Sequence, residues 1–200
     1  MIQSGDPDSK IAEVGEALGS TDLPYRIPAE FAPNLFHKRG ALGAARNNNP
    51  ARASSSTQFY IVQGRVYSDS LLEVQQGRIN NWLSMNRVVN DPSNKVPVDR
   101  RGQLREENPE SDSIQLISDH LSELAKTNLA NSEKYVYPAA HQEVYKTIGG
   151  AAHLDQNYTV FGEVIKGMDV VDKIAATATN DSDRPIDDVK IIKTRIIVKK

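Results

Sequence analysis

The hydrophobic pattern at the start of the chain is typical of short β-strands separated by loops. Residues 57–62 form an aromatic and β-branched run that suits a half-buried strand. They follow residues 47–56, whose Asn, Ser and Pro side chains favour a turning loop. Residues 1–3 also have strand character. Residues 40–46 combine alanines, which favour a helix, with two glycines, which favour a strand that a neighbour can approach closely, and we predict the strand.

Further along, from about residue 66, the spacing of apolar residues becomes helical. Apolar side chains recur at intervals of three and four, as on one face of a helix. The first such stretch begins at a capping pair, Ser70 and Glu73. We predict helices at residues 70–83, 114–124 and 138–148. Residues 90–108 are polar, charged and interrupted by prolines, which predicts a loop.

The last part of the chain returns to strand character. Residues 158–165 and 187–199 are rich in β-branched side chains and predict strands, with a short helix at 168–174 between them. This order predicts a single domain, residues 1–200, that carries a mostly helical insertion at 66–150. Two separate domains are the alternative, but neither strand-rich part could close a core alone.

Composition removes several classes of function. The net charge of −2 gives no basic field for nucleic acid, and no apolar run reaches the roughly 18 residues of a membrane span. Without cysteine, the chain has neither disulfides nor thiolate ligands for zinc.

The first residues also carry a prediction about the natural protein. Met1 begins inside a predicted strand and starts no signal peptide, so we expect an extension at the N-terminus. As written, the chain is expected in the cytoplasm. An extension would allow a periplasmic or lipid-anchored protein.

Several stretches resemble the cyclophilin-type peptidyl-prolyl cis-trans isomerases, in particular the bacterial members, in their order and spacing. They lie at residues 1–6, 37–42, 56–62, 154–164 and 167–171. The resemblance covers about residues 1–64 and 151–199. It implies a mainly β fold, a closed eight-stranded antiparallel β-barrel capped by two helices, here incomplete at its N-terminus.

The resemblance also implies a rotamase that assists protein folding by acting on X-Pro bonds. Twisting such a bond breaks its amide resonance, so the enzyme must favour the twisted form over both planar forms. That requires an apolar pocket for the proline ring, partners for the flanking backbone and a donor to the proline nitrogen. No metal, cofactor or nucleophile is needed. The expected clients are unfolded or flexible proline-containing proteins, and the helical insertion offers a further partner surface.

Nine residues match the substrate site of the family. They are Met1, Gln3, Ala45, Arg46, Gln58, Tyr60, His153, Leu154 and Tyr158. By the resemblance, Met1, Tyr60 and Leu154 are walls of the proline pocket, with Tyr60 where the family usually has Phe. Gln3 is the catalytic amide that hydrogen-bonds the substrate backbone, and Gln58 is a groove residue.

The remaining matches concern the edges of that site. Ala45 and Arg46 correspond to the strand that pairs with the client peptide, and Arg46 is interpreted as a charge on its rim. His153 and Tyr158 stand where some members have Trp and His, which affects substrate range and the affinity for cyclosporin.

One departure from the family leaves two functions open. The catalytic arginine of the family precedes the segment that matches residues 1–6 and has no counterpart in this sequence. The chain is therefore either an isomerase or a proline-peptide-binding, chaperone-like module with weak or no turnover.

Overall fold

An open four-stranded antiparallel sheet and five α-helices make up the computed structural model, which describes residues 1–198. The strands are β1 (Ile2–Ser4), β2 (Ala41–Ala44), β3 (Phe59–Ile61) and β4 (Val160–Glu163). The helices are α1 (Asp69–Asn90), α2 (Lys95–Glu107), α3 (Asp112–Asn131), α4 (Ala139–Thr147) and α5 (Met168–Ala175).

The sheet has the strand order β1-β3-β2-β4, which leaves β1 and β4 at its edges. Helix accounts for 41% of the structure and strand for 11%, so the mainly β prediction is wrong. The closed barrel is wrong as well: the strands of residues 1–198 form one open sheet whose edges do not pair with each other.

In the middle of the sheet, a large side chain on β3 packs closely against a glycine on β2. Gln3 on β1 and Gly43 on β2 both lie opposite Tyr60 on β3. The ring of Tyr60 lies across Gly43, so a Cβ atom built on that glycine would come within 2.2 Å of the Tyr60 Cζ atom. The strand predicted at residues 40–46 is therefore confirmed, together with its tolerance of a close neighbour.

The helical part of the chain agrees with the pattern of apolar residues except in two places. Helix α1 begins at Asp69 and is capped by Ser68, whose hydroxyl accepts the Leu71 N–H at 3.2 Å, so the Ser70–Glu73 capping pair is wrong. Residues 95–107 form α2 rather than a loop. Leu104 is the one buried side chain of α2, so this helix lacks the apolar periodicity that reveals the others.

The helices pack against one another through separate apolar clusters. Val88 of α1 packs with Leu121 and Ala125 of α3, while Ile79 and Leu72 of α1 pack near Tyr145 of α4. Gly149, with φ of +86°, follows α4 in the left-handed conformation that commonly ends helices. No helix within residues 1–198 combines the length and the apolar character that a bilayer span requires.

The strand predicted at residues 187–199 is wrong for the part that the structure describes. Residues 187–198 have no regular secondary structure, and Ile192 and Ile196 are 97% and 93% exposed. A strand needs a partner edge to satisfy its backbone groups, and no edge of the sheet pairs with these residues. Lys199 lies outside the described residues.

Candidate functional site

An apolar cluster on one side of the sheet brings together four of the nine predicted site residues. Tyr60 and Ala45 are buried in it, and Leu154 and Tyr158 pack against it. Met1 immediately precedes β1 and lies outside this cluster, with 65% of its surface exposed. Two of the three predicted pocket walls are therefore adjacent, and the third is at the edge of the sheet.

Gln3 and Gln58 form a second contact between predicted site residues. The Gln3 side-chain amide donates to Gln58 Oε1 at 3.0 Å. Gln58 is buried, and its own amide donates to the carbonyl oxygens of Gly19 and Thr21 at 3.2 and 2.8 Å. Gln58 therefore anchors the long loop after β1 to the site, and its acceptor oxygen orients the amide of Gln3.

Three side chains form a stack that runs from the surface to the cluster. The Arg46 guanidinium lies 4.7 Å from the centre of the Tyr158 ring, a cation–π distance. Tyr158 meets Tyr60 edge to face, with ring centres 6.0 Å apart. Tyr60 is only 2% exposed because Tyr158 and its neighbours cover it.

Below this stack, a chain of hydrogen bonds runs through four buried side chains that we call the buried polar chain: Tyr60, His37, Asp155 and Tyr145. Tyr60 Oη lies 2.8 Å from His37 Nε2, and His37 Nδ1 lies 2.8 Å from Asp155 Oδ1. Tyr145 donates its hydroxyl to Asp155 Oδ2 at 2.7 Å, and the His37 backbone N–H donates to Asp155 Oδ1 at 3.0 Å.

The proton positions in the buried polar chain follow from its partners. The Asp155 carboxylate accepts, so His37 Nδ1 carries a proton and, in the neutral ring, Nε2 accepts from Tyr60. Burial raises the pKa of Tyr60 well above its usual range, and Tyr158 and Asp155 add to the rise. Burial likewise raises the pKa of Tyr145, with Asp155 adding to it. Both hydroxyls therefore remain donors at physiological pH.

Sequence reasoning missed the roles of His37, Asp155 and Tyr145. One signal could have found them: Tyr60 replaces a family Phe and is buried, so its hydroxyl requires a buried partner. His153, half-buried, lies outside the apolar cluster. Burial lowers the pKa of His153, and the positive charge of Arg65 lowers it further.

The loop at residues 47–56 is held between helix α1 and the turn before β4. Asn86 and Asn90 of α1 donate to the carbonyl oxygen of Pro50 at 2.6 and 3.1 Å. On the other side, Arg52 Nη1 donates to the carbonyl oxygen of Gln156 at 2.6 Å. Beside this loop lies a surface depression of about 510 Å³. Its lining consists of Phe31, Arg52, Leu83, Asn86, Arg87, Glu133, Lys134, Tyr135, Val136 and Gln156.

Comparison with known families and proteins gives consistent results. The sequence matches the family model described as cyclophilin type peptidyl-prolyl cis-trans isomerase/CLD over residues 1–89 and 129–196. It is 36% identical over 55 residues to peptidyl-prolyl cis-trans isomerase CYP18-2 of Arabidopsis thaliana, and this alignment covers 28% of this chain and 34% of that protein. It is 41% identical over 51 residues to human peptidyl-prolyl cis-trans isomerase-like 1, or 26% of this chain and 31% of that protein.

A bacterial protein from Staphylococcus saprophyticus, whose name carries the same enzyme class, is 29% identical over 89 residues. That alignment covers 44% of this chain and 45% of the bacterial protein. The chain thus spans 31% to 45% of the length of these three curated relatives.

Proposed function

The chain belongs to the cyclophilin-type peptidyl-prolyl cis-trans isomerase family, and on that premise we propose that it catalyses cis/trans isomerisation of X-Pro bonds in protein clients. One observation carries the proposal. The two matched ranges contain the two halves of the candidate site, with Gln3, Gln58 and Tyr60 in the first and Leu154 and Tyr158 in the second. The pairing of β2 with β4 and the apolar cluster bring these halves into contact.

In this proposal the proline ring docks on the apolar cluster beside Leu154. Tyr60 is covered by Tyr158, so the Tyr158 side chain swings aside to admit the ring. Tyr158 is only partly buried, whereas Tyr60 is buried, so Tyr158 is the movable member of the stack. The removal of water from the apolar surface then contributes to client binding.

The polar groups around this surface hold the client backbone. Gln3 uses one amide proton on Gln58, which leaves its second proton and its oxygen for the peptide. Donors that hydrogen-bond the twisted amide more strongly than the planar one lower the barrier to rotation. The helical insertion, predicted at residues 66–150, would add surface that helps to hold the client chain.

A second candidate function is proline-peptide binding without turnover, as in a chaperone-like module. It is favoured by the engagement of Arg46, whose Nε donates to the Asn157 carbonyl oxygen at 2.8 Å and whose Nη1 donates to the Asn47 carbonyl oxygen at 3.1 Å. With these donors occupied, Arg46 is better placed to fix the rim of the site than to follow a rotating amide.

Exchange NMR on a short X-Pro peptide tests the two candidates. For an isomerase we expect faster cis/trans exchange, with Gln3→Ala slowing the catalysed rate about 10-fold because one hydrogen bond of roughly 1.4 kcal/mol is lost. Gln115→Ala on the exposed face of α3 is the matched control and should leave the rate unchanged. Peptide binding without accelerated exchange would favour the second candidate. Neither binding nor exchange would contradict both.

A further inference from the structure

Three arginines around the loop at residues 47–56, like several others within residues 1–198, have no carboxylate partner. Arg39 pairs with Asp172, and Arg184 pairs with Asp188 at 2.8 Å. Within residues 1–198, no carboxylate oxygen comes within 4.0 Å of the guanidinium groups of Arg46, Arg52 or Arg87. This part of the surface therefore carries uncompensated positive charge.

Arg52 lies close enough to Arg46 and to Arg87 for the charges of both to affect it. Burial lowers the pKa of Arg52, and the positive charges of Arg46 and Arg87 lower it further. Like charges held together without counter-ions cost free energy in the free protein. An anion that approached all three would relieve that repulsion, so the arrangement favours a negatively charged ligand.

Two of these arginines are fixed in place before any ligand arrives. Arg46 and Arg52 donate to the consecutive carbonyl oxygens of Asn157 and Gln156, at 2.8 and 2.6 Å. Arg52 also lies over the ring of Phe31, 4.5 Å from its centre. A guanidinium has five N–H donors, and Arg52 spends one of them in these contacts. The remaining donors are available in a fixed geometry, which reduces the entropy lost on binding.

The backbone that holds this geometry is unusual at both ends of the contact. Arg52 has φ of +55° and Gln156 has φ of +65°, a left-handed conformation that non-glycine residues seldom adopt. Such conformations persist where the surroundings enforce them, and they cluster at binding sites. Here the Arg52–Gln156 hydrogen bond joins the two strained residues directly.

Next to these arginines lies an open surface depression. The depression of about 510 Å³ has Arg52 and Arg87 in its lining together with apolar side chains such as Leu83 and Tyr135. Its volume lies within the usual range for ligand pockets. Lys134 adds positive charge and Glu133 is its one acidic lining residue, so the lining is basic in balance.

We propose that Arg46, Arg52 and Arg87 form an anionic-client subsite, which binds acidic side chains that flank the X-Pro bond of a client polypeptide. This inference rests on the proposed function for its choice of a polypeptide ligand. Arg46 follows Ala45, which extends β2 by accepting the backbone N–H of Ser55 and donating to Gln58. The subsite therefore begins at the end of β2, next to the apolar cluster, and continues into the depression beside the loop.

Two peptides that differ only in charge test the subsite. Both contain the same X-Pro bond, flanked by two Glu residues in one and by two Gln residues in the other, and binding is followed by NMR titration of the protein. We expect the Glu peptide to bind about 10-fold more tightly at low salt, and this preference to shrink as salt screens the charges. Equal affinity for the two peptides would overturn the inference.

Arginine variants then identify the residues that cause the tighter binding of the Glu peptide. Arg87→Gln changes an exposed helical residue and should reduce the preference for Glu about 3-fold without affecting folding. Arg105→Gln removes the same charge from an exposed position of α2, away from the depression, and should leave the preference intact. A preference that survives Arg87→Gln and Arg52→Gln together would contradict the assignment.

The binding measurement separates this inference from the proposed function. A Glu peptide that binds with the expected preference, but whose cis/trans exchange is not accelerated, would refute the isomerase and support the subsite. Accelerated exchange of both peptides with equal affinity would support the isomerase and refute the subsite.

Discussion

Replacing Asp155 by alanine tests whether the buried polar chain holds the candidate site together. Asp155 is 3% exposed and accepts three hydrogen bonds. Two come from the backbone N–H and the ring of His37, and one comes from the Tyr145 hydroxyl. His37 and Tyr145 are 1% and 0% exposed, so these donors are shielded from bulk solvent in the folded protein.

The expected loss of stability follows from the number of buried donors that Asp155→Ala leaves without an acceptor. A buried donor without a partner costs about 1–3 kcal/mol, and breaking a buried polar pair typically costs about 3–5 kcal/mol. We therefore expect Asp155→Ala to lower the free energy of unfolding by about 3–5 kcal/mol. Asp155→Asn retains an oxygen for His37 and strands mainly the Tyr145 proton, so its cost should be about 1–2 kcal/mol.

Urea denaturation followed by far-UV circular dichroism measures both variants. A fall in the midpoint with an unchanged slope would report stability alone. Asp181→Ala is the matched control: this residue is exposed, and its loss should cost less than about 0.5 kcal/mol. A cost below about 1 kcal/mol for Asp155→Ala would refute the reasoning, since the three donors would then have found other partners.

Two further predictions concern the sheet and the histidines. Gly43→Ala places a Cβ 2.2 Å from the Tyr60 Cζ, so it should destabilise the protein by about 1–3 kcal/mol and shift the NMR resonances of the Tyr60 ring. Gly77→Ala is the control: its Cβ meets nothing within 4 Å, so it should stabilise α1 by up to about 1 kcal/mol. Burial lowers the pKa of His153 and of His141, so the unfolded chain binds more protons, and stability that is complete above pH 6.5 should fall as the pH decreases below it. His153→Gln should flatten the dependence of the urea midpoint between pH 7.5 and 5.5, whereas His120→Gln, at an exposed position, should not.

Apolar periodicity was sufficient to predict the elements that bury a regular stripe. Helix α3 is the clearest case, because Ile117, Leu121 and Ala125 pack as a row against Val88 of α1. Helix α2 escaped prediction because it buries only Leu104. Its proline, Pro97, indicates a loop in the sequence, but it lies in the first turn of α2, where the missing N–H costs nothing.

The prediction of a closed barrel was wrong for a different reason. Alternation of β-branched and charged residues at 187–199 satisfies the local requirement for a strand, but pairing requires a free edge in register. Strand propensity largely measures fit to such a surface, so a segment without one remains exposed, as Ile192 and Ile196 do. Local patterns thus predicted where strands could form and not how many edges would be closed.

The candidate site shows the same division. The segments that carry Gln3, Tyr60 and Leu154 were found from their motifs, and the structure places the three within one sheet and its cluster. The buried polar chain joins positions 37, 60, 145 and 155, which no local spacing relates. Only a three-dimensional count of buried donors and acceptors exposes such a chain.

The contacts of Pro50 give the helical part of the chain a physical route to the candidate site. Its carbonyl oxygen accepts from Asn86 and Asn90 at the end of α1, and the loop that follows carries Arg52. Arg87 lies between these two asparagines on the same turn, so α1 both fixes the loop and lends a charge to the anionic-client subsite. We therefore expect the contact between α1 and the loop to fix Arg87 and Arg52 relative to each other.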